Sequence, residues 1–322
     1  MITLYQFHWS HFVEKVRWAL DYKGLQWSAV DVDPFTLRQM RHLRCPLTLE
    51  SGRKLYTVPV ISDAATGVVL ADSSRILDYL ETTYPTPALY PADPDERAEM
   101  TRWMLWLDST LGLTGRRLGY TQIALEHPEI LSGLFIPHLV GARGLGAFKS
   151  RLGGVVIAGV LSRRFRFRCN RVDRVFEQLE QCLLRVAQRL SAHPYLVGER
   201  FTAADLTLAA LLRPAMLVPF FRDHPGLQGL WQWRLQQLHE HQRETHVGYE
   251  KAMDAARRRR GWALGHVKWL TGPGQAGVPA EIPSITVAQN DQQSMGRWPL
   301  LKSPYWYLRL AATCGLGRTA YT

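Results

Sequence analysis

The chain predicts an α/β N-terminal domain followed by an all-helical C-terminal one. Three observations carry this. Short β-favouring runs alternate with helical periodicity over the first 84 residues. A proline-rich connector, Tyr84-Pro85-Thr86-Pro87-Ala88-Leu89-Tyr90-Pro91-Ala92-Asp93-Pro94, comes next, and from Glu96 onward the apolar spacing is helical. With 322 residues, 46% of them hydrophobic, the chain is long enough for two domains with their own cores.

Ile2, Thr3, Leu4 and Tyr5 suit a strand. Phe12, Val16 and Leu20, with Val13 and Ala19, recur at helical spacing, so a helix begins at Ser10. Ser10 is a natural N-cap, although Val13 at the third helical position leaves no full capping box. Free backbone N–H groups and the positive end of the helix dipole stabilise an anion there, a thiolate included. Thr57-Val58-Pro59-Val60-Ile61 is a β-run with an internal proline, which makes Pro59 a candidate cis-proline or the start of a strand. Val68 to Leu70 is a further short strand, and Ala71-Asp72-Ser73-Ser74 opens a second helix with small polar residues.

This order, strand, Ser-bearing helix, strand, helix, Val-Pro strand, strand, Asp-Ser helix, resembles the thioredoxin-like N-terminal domain of the glutathione S-transferases. The run SHFVEKVRWALDYKGL looks like a bacterial, serine-type branch of that family. In the C-terminal half, Pro194 to Leu206 carries the strongest match. Thr202 with Asp205 resembles the family's buried capping box, and Phe201 with Leu206 can form a hydrophobic staple. The resemblance implies a mixed four-stranded sheet with helices over residues 1–84, a linker at 85–95 and an all-helical domain over 96–260. Within that domain, Glu96 to Leu113 and Arg171 to Leu190 are read as amphipathic helices, and Leu227 to about Arg260 as two more. Periodicity fails after Gly261, so 261–322 is read as a poorly ordered extension that the resemblance does not cover.

Composition excludes several classes. Cys45, Cys169, Cys182 and Cys314 are scattered without a C-x-x-C, which argues against a disulfide framework or a zinc site. The histidines near Ser10 and around His239, His241 and His246 lack the spacing of a metal centre. No secretory signal or membrane-spanning stretch is evident, and a cytoplasmic protein is expected. The formal charge is +11, concentrated between residues 130 and 170, where arginines interleave with apolar residues. We read this basic segment as a long connection between helices, the alternative being weak contact with an anionic membrane surface. No nucleic-acid-binding motif accompanies the charge.

The chemistry that the resemblance implies is activation of the glutathione thiol, with glutathione as co-substrate, no resident cofactor and no metal. A free thiol has a pKa of about 8.5, so one tuned hydrogen bond beside a helix N-terminus makes the thiolate dominant at neutral pH. Ser10 is the implied catalytic donor. Val58, just before Pro59, would pair its backbone with the cysteinyl part. Asp72 and Ser73 would bind the γ-glutamyl end, and Arg53 or Lys54 would meet the glycine carboxylate. A small electrophile would enter past His11, Trp103 and Trp106, and a homodimer is the implied assembly. Gln6 stands where tyrosine-dependent relatives carry their phenol, and Tyr5 is one residue off. Ser10 replaces the cysteine of the glutaredoxin-like classes, and Val13 stands where relatives often carry one, so dithiol chemistry is disfavoured. Two readings remain: an enzyme conjugating glutathione to small hydrophobic electrophiles, and a non-catalytic or membrane-peripheral binding module on the same scaffold.

Overall fold

A computed structural model describes residues 1–7, 9–34, 36–48, 52, 54–126, 159, 172–216 and 218–241. The basic segment 130–170 apart from Gly159, the histidine at position 8, Arg53, Cys169, Cys314 and the extension 261–322 lie outside these residues.

Strand β1 (Ile2–Gln6) lies at the centre of a four-stranded mixed sheet, parallel to β2 (Trp27–Asp31) and antiparallel to β5 (Val60–Asp63). The edge strand β6 (Val69–Ala71) pairs antiparallel to β5, giving the order β2-β1-β5-β6. Between β2 and β5, where the resemblance implies a helix, the described residues hold only a six-residue 3₁₀ turn, Arg38–Leu43, and a small hairpin of β3 (Leu47–Thr48) and β4 (Lys54–Leu55). Helices α1 (His11–Tyr22) and α2 (Ser73–Thr83) complete the domain.

The proline-rich connector is firmly tied. The Glu81 carboxylate accepts from the backbone of Leu89 and Tyr90, and Lys23 Nζ donates to the carbonyls of Tyr84 and Pro87 at 2.8 and 3.0 Å. Helix α3 (Pro94–Leu107) starts behind an Asp93 N-cap, with proline at its first position where a missing N–H costs nothing. The expected single helix from Glu96 to Leu113 changes hydrogen bonding part-way. A π turn, Asp108–Gly112, separates α3 from α4 (Leu113–Glu126). Helix α5 (Val172–Ala192) agrees with the predicted amphipathic stretch. Helix α6 (Ala203–Leu211) is buried along its whole length, and Thr202 and Asp205 close the capping box in front of it. Asp205 accepts from the Leu196 and Thr202 backbones at 2.8 and 2.9 Å and from the Thr202 hydroxyl. Of the two helices expected beyond Leu227, the described residues contain α7 (Gln228–His241).

The two halves share α1. Of its apolar positions at helical spacing, Val13, Val16, Ala19 and Leu20 are buried and Phe12 is half-buried, yet Glu14, Lys15, Arg17 and Asp21 are buried as well. An amphipathic surface helix would put those charges in water. Here the sheet covers one side of α1 and α6 the other, so each charge finds a partner inside. Glu14 accepts from Arg213 at 2.8 Å and from Arg234 at 3.0 Å, with both guanidiniums 4% exposed. Arg17 donates to Gln6, and Asp21 accepts from the Trp27 indole.

Candidate active site

The strand register brings three segments to one end of the sheet. Tyr5 pairs with Val60, and Val60 with Ala71. Strands β1 and β6 both run toward this end and β5 starts from it, so the chain leaves β1 toward Ser10, enters β5 through Val58-Pro59 and leaves β6 into Asp72. Residues far apart in sequence thus meet where two helix N-termini open.

Ser10 enters α1 through a tight turn, its N–H donating to the Phe7 carbonyl at 3.0 Å. Half-buried, it caps the helix, its Oγ accepting from the Val13 N–H at 3.4 Å. A hydroxyl that accepts in this way still has its proton to donate. Asp72 holds φ 84° and ψ 125°, conformational space that a residue with a Cβ seldom occupies and which stores strain. Its Oδ1 accepts from the N–H groups of Ser74 and Arg75 at 3.0 and 3.1 Å, so both capping bonds fall on one carboxylate oxygen. Ser73 is buried beside it, as are Val58 and Pro59, and the Val58-Pro59 bond is cis.

The remaining predicted residues are placed differently. Lys54 is exposed on β4. His11 is buried, its Nε2 donating to the Gly112 carbonyl at 2.9 Å, and burial together with the Arg116 charge pushes its pKa down to about 3. It is therefore a neutral residue docking α1 onto the helical domain. Trp103 and Trp106 are half-buried, edge to face at 5.5 Å, and the Arg185 guanidinium of α5 lies 5.0 Å from the Trp106 ring and 5.9 Å from Trp103. Gln6 is engaged by Asp31 and Arg17, and the Tyr5 ring meets His42 edge-on at 6.1 Å. Among the described residues no cluster of three or more His, Cys, Asp or Glu could hold a metal ion, and no helix is long and apolar enough to cross a membrane. Cys45 and Cys182 are free thiols, and burial pushes Cys182 up to about 12, which makes it inert.

A contact that apolar periodicity does not reveal joins α1 to the π turn. Lys15 Nζ donates to Ser74 Oγ at 2.9 Å and to both oxygens of Asp108 at 3.1 and 2.9 Å. Phe12 lies so close to Gly112 that a Cβ there would stand 2.7 Å from the ring. A lone glycine inside an apolar helical run, such as Gly112, is the one signal that pointed to this approach.

Residues 4–88 match the family model for the glutathione S-transferase N-terminal domain, and residues 170–235 match the model for the C-terminal domain. These two stretches carry the two domains of the glutathione S-transferase family. Among the chain's relatives is a protein described as a probable glutathione S-transferase of Nicotiana tabacum, 31% identical over 107 residues, which are 33% of this chain and 44% of that protein. The chain thus spans no more than about half the length of the plant relatives it matches. FtsZ-localized protein A of Caulobacter vibrioides is 24% identical over 225 residues, 69% of this chain and 79% of that one. Among solved structures, the β-etherase LigF of Sphingobium sp. strain SYK-6 shares the fold, with a TM-score of 0.53 at 24% identity, covering 79% of this chain and 98% of LigF. Both halves, the four-stranded thioredoxin-like domain and the helical domain, therefore follow the family architecture.

Proposed function

We propose that the chain is a glutathione transferase that conjugates the glutathione thiolate to small hydrophobic electrophiles. The observation that carries this reading is the pair of helix N-termini, one capped by Ser10 and the other by the strained Asp72, at one end of the sheet. Ser10 Oγ–H donates to the thiol sulfur and, with the α1 dipole, holds it as thiolate once the proton has passed to solvent. With an aryl halide the sulfur attacks the electrophilic carbon, the S–C bond forms and halide departs with its electron pair; with an isothiocyanate the sulfur adds to the central carbon and the nitrogen takes a proton from solvent. Asp72, with both capping bonds on Oδ1, has its second oxygen to offer the γ-glutamyl ammonium. Ser73 and the α2 N-terminus take the α-carboxylate. Val58 pairs with the cysteinyl backbone, and Arg53 or Lys54 meets the glycine carboxylate. A homodimer acting in the cytoplasm, with detoxification as its use, fits the family.

Retention on immobilised glutathione, then a conjugation assay against aryl halides and isothiocyanates, with peroxide reduction by glutathione followed separately, tests the reading. Ser10→Ala should lower conjugation about a hundredfold, the usual effect of deleting one donor to a developing anion, with the melting temperature nearly unchanged. Wild-type turnover in the variant would leave Ser10 a helix cap only. A second reading is a binding module without turnover. Similarity to FtsZ-localized protein A over more than two thirds of the chain supports it, since that protein's name records a location and no reaction. Glutathione retention without conjugation of any electrophile would favour this second reading.

A further inference from the structure

We propose that Lys15 is a positioning residue that sets the Ser10 helix against the Asp72 helix, using the π turn of the helical domain as its anchor. The proposal rests on the glutathione site described above and adds how that site is held in register.

His11 and Lys15 are one turn apart and share a face of α1. That face grips both ends of the π turn: His11 Nε2 donates to the Gly112 carbonyl, and Lys15 Nζ donates to the Asp108 carboxylate. Gly112 permits the approach, because any Cβ there would collide with Phe12. Asp108 also accepts from Ser74 Oγ at 2.7 Å, and Ser74 itself accepts from Lys15. Ser74 is the second residue of α2, and its backbone N–H is one of the two that Asp72 caps. An unbroken line of short contacts therefore runs from the helix that Ser10 caps, through Lys15, Asp108 and Ser74, to the cap of α2.

The choice of residue type supports a geometric role. The Lys15 side chain is fully buried, and an ammonium taken out of water is costly unless every donor is matched. Its three donors have three acceptors here, one on Ser74 and two on Asp108. An apolar side chain would fill the same space at less cost but would fix no angle between the helices. A π turn adds one residue to a helical turn, and this one turns Asp108 and the Gly112 carbonyl toward α1. Both helix N-termini must address one tripeptide, so a small rotation of α1 against α2 separates the thiol donor from the γ-glutamyl subsite.

The test compares the full-length wild type with Lys15→Met, Lys15→Arg and Asp108→Asn. Lys15→Met removes the buried ammonium and leaves behind only a partly exposed carboxylate, so that variant remains foldable even where Asp108→Asn, which strands the ammonium without its counter-charge, is destabilised. Thermal melts establish folding. The KM for glutathione, the kcat and the pH profile of kcat/KM with an aryl halide are then measured. Lys15→Met and Asp108→Asn should raise the KM about tenfold and displace the acid limb of the profile, where the thiol ionises, upward by about one pH unit, with kcat at high pH retained. Lys15→Arg should recover most of the loss. Folded variants with wild-type KM and pH profile would overturn the proposal while leaving the glutathione site intact. A wild type that neither retains nor conjugates glutathione would overturn the functional reading, and this proposal with it.

Discussion

His11 shows how far one side chain's chemistry can depart from its sequence context. Next to Ser10 and flanked by aromatics, it reads as a lining residue of an electrophile pocket, whereas the fold encloses it and gives its ring nitrogen a carbonyl partner. Burial is the larger cause of its lowered pKa and the Arg116 charge the second, with Glu14 and the Gly112 bond opposing them. The folded pKa of about 3 lies below the ordinary 6.5, so between these values the unfolded chain binds the extra proton. The stability that neutral His11 contributes is therefore present above about pH 6.5 and lost as pH falls toward 3. In thermal melts from pH 7 down to pH 4, His11→Asn should show a shallower decline than wild type. Parallel declines would mean that His11 keeps contact with solvent.

At the scale of the element, helix N-termini organise this protein, and three of them are capped by three different solutions. Ser10 caps α1 with a long, weak bond, Asp72 caps α2 from a strained backbone, and Thr202 with Asp205 closes a reciprocal box in front of α6. The first two are loosely or awkwardly satisfied and open at the sheet end where chemistry is proposed. The third is buried and saturated, as a folding element should be. Asp205→Ala removes the acceptor of three donors, the Leu196 and Thr202 N–H groups and the Thr202 hydroxyl. It should cost roughly 2–4 kcal/mol in urea unfolding, the lost cap plus stranded buried donors. The KM for glutathione should stay within about twofold of wild type in the folded variant, since the capping box lies toward the other end of α1 from Ser10, where Phe201 stacks on Trp18 and Tyr22. A normal melt with a large KM change would reverse that assignment.

Across the whole molecule, α1 is the spine, covered by the sheet on one side and the helical domain on the other. The Glu14 carboxylate joins residues 199 and 220 positions away, Arg213 and Arg234, and Arg234 also donates to the Ala209 carbonyl at 2.8 Å. Glu14→Ala strands two buried guanidiniums, which should cost about 3–5 kcal/mol and lower the midpoint of both domains together. Far-ultraviolet dichroism and tryptophan fluorescence followed in the same denaturant series would check this, and separated transitions would show that the domains unfold independently.

Local preference was sufficient for much of the architecture. The alternation in the first 84 residues, the cap at Ser10, the Val-Pro entry to β5, the Asp-Ser start of α2 and the Thr202/Asp205 box are all legible, because each depends on residues within one turn or one strand. Even the convergence of Ser10, Val58 and Asp72 is implied once the family resemblance is recognised, although it is strand register that brings them to one end of the sheet. Only the tertiary structure decided the fate of the charges on α1. Periodicity distinguishes apolar from polar positions but cannot tell a polar face turned to water from one turned to another domain. Glu14, Lys15 and Arg17 are paired inside, because the partners that offset their desolvation, Arg213, Arg234, Asp108 and Gln6, come from elements whose approach no local pattern encodes.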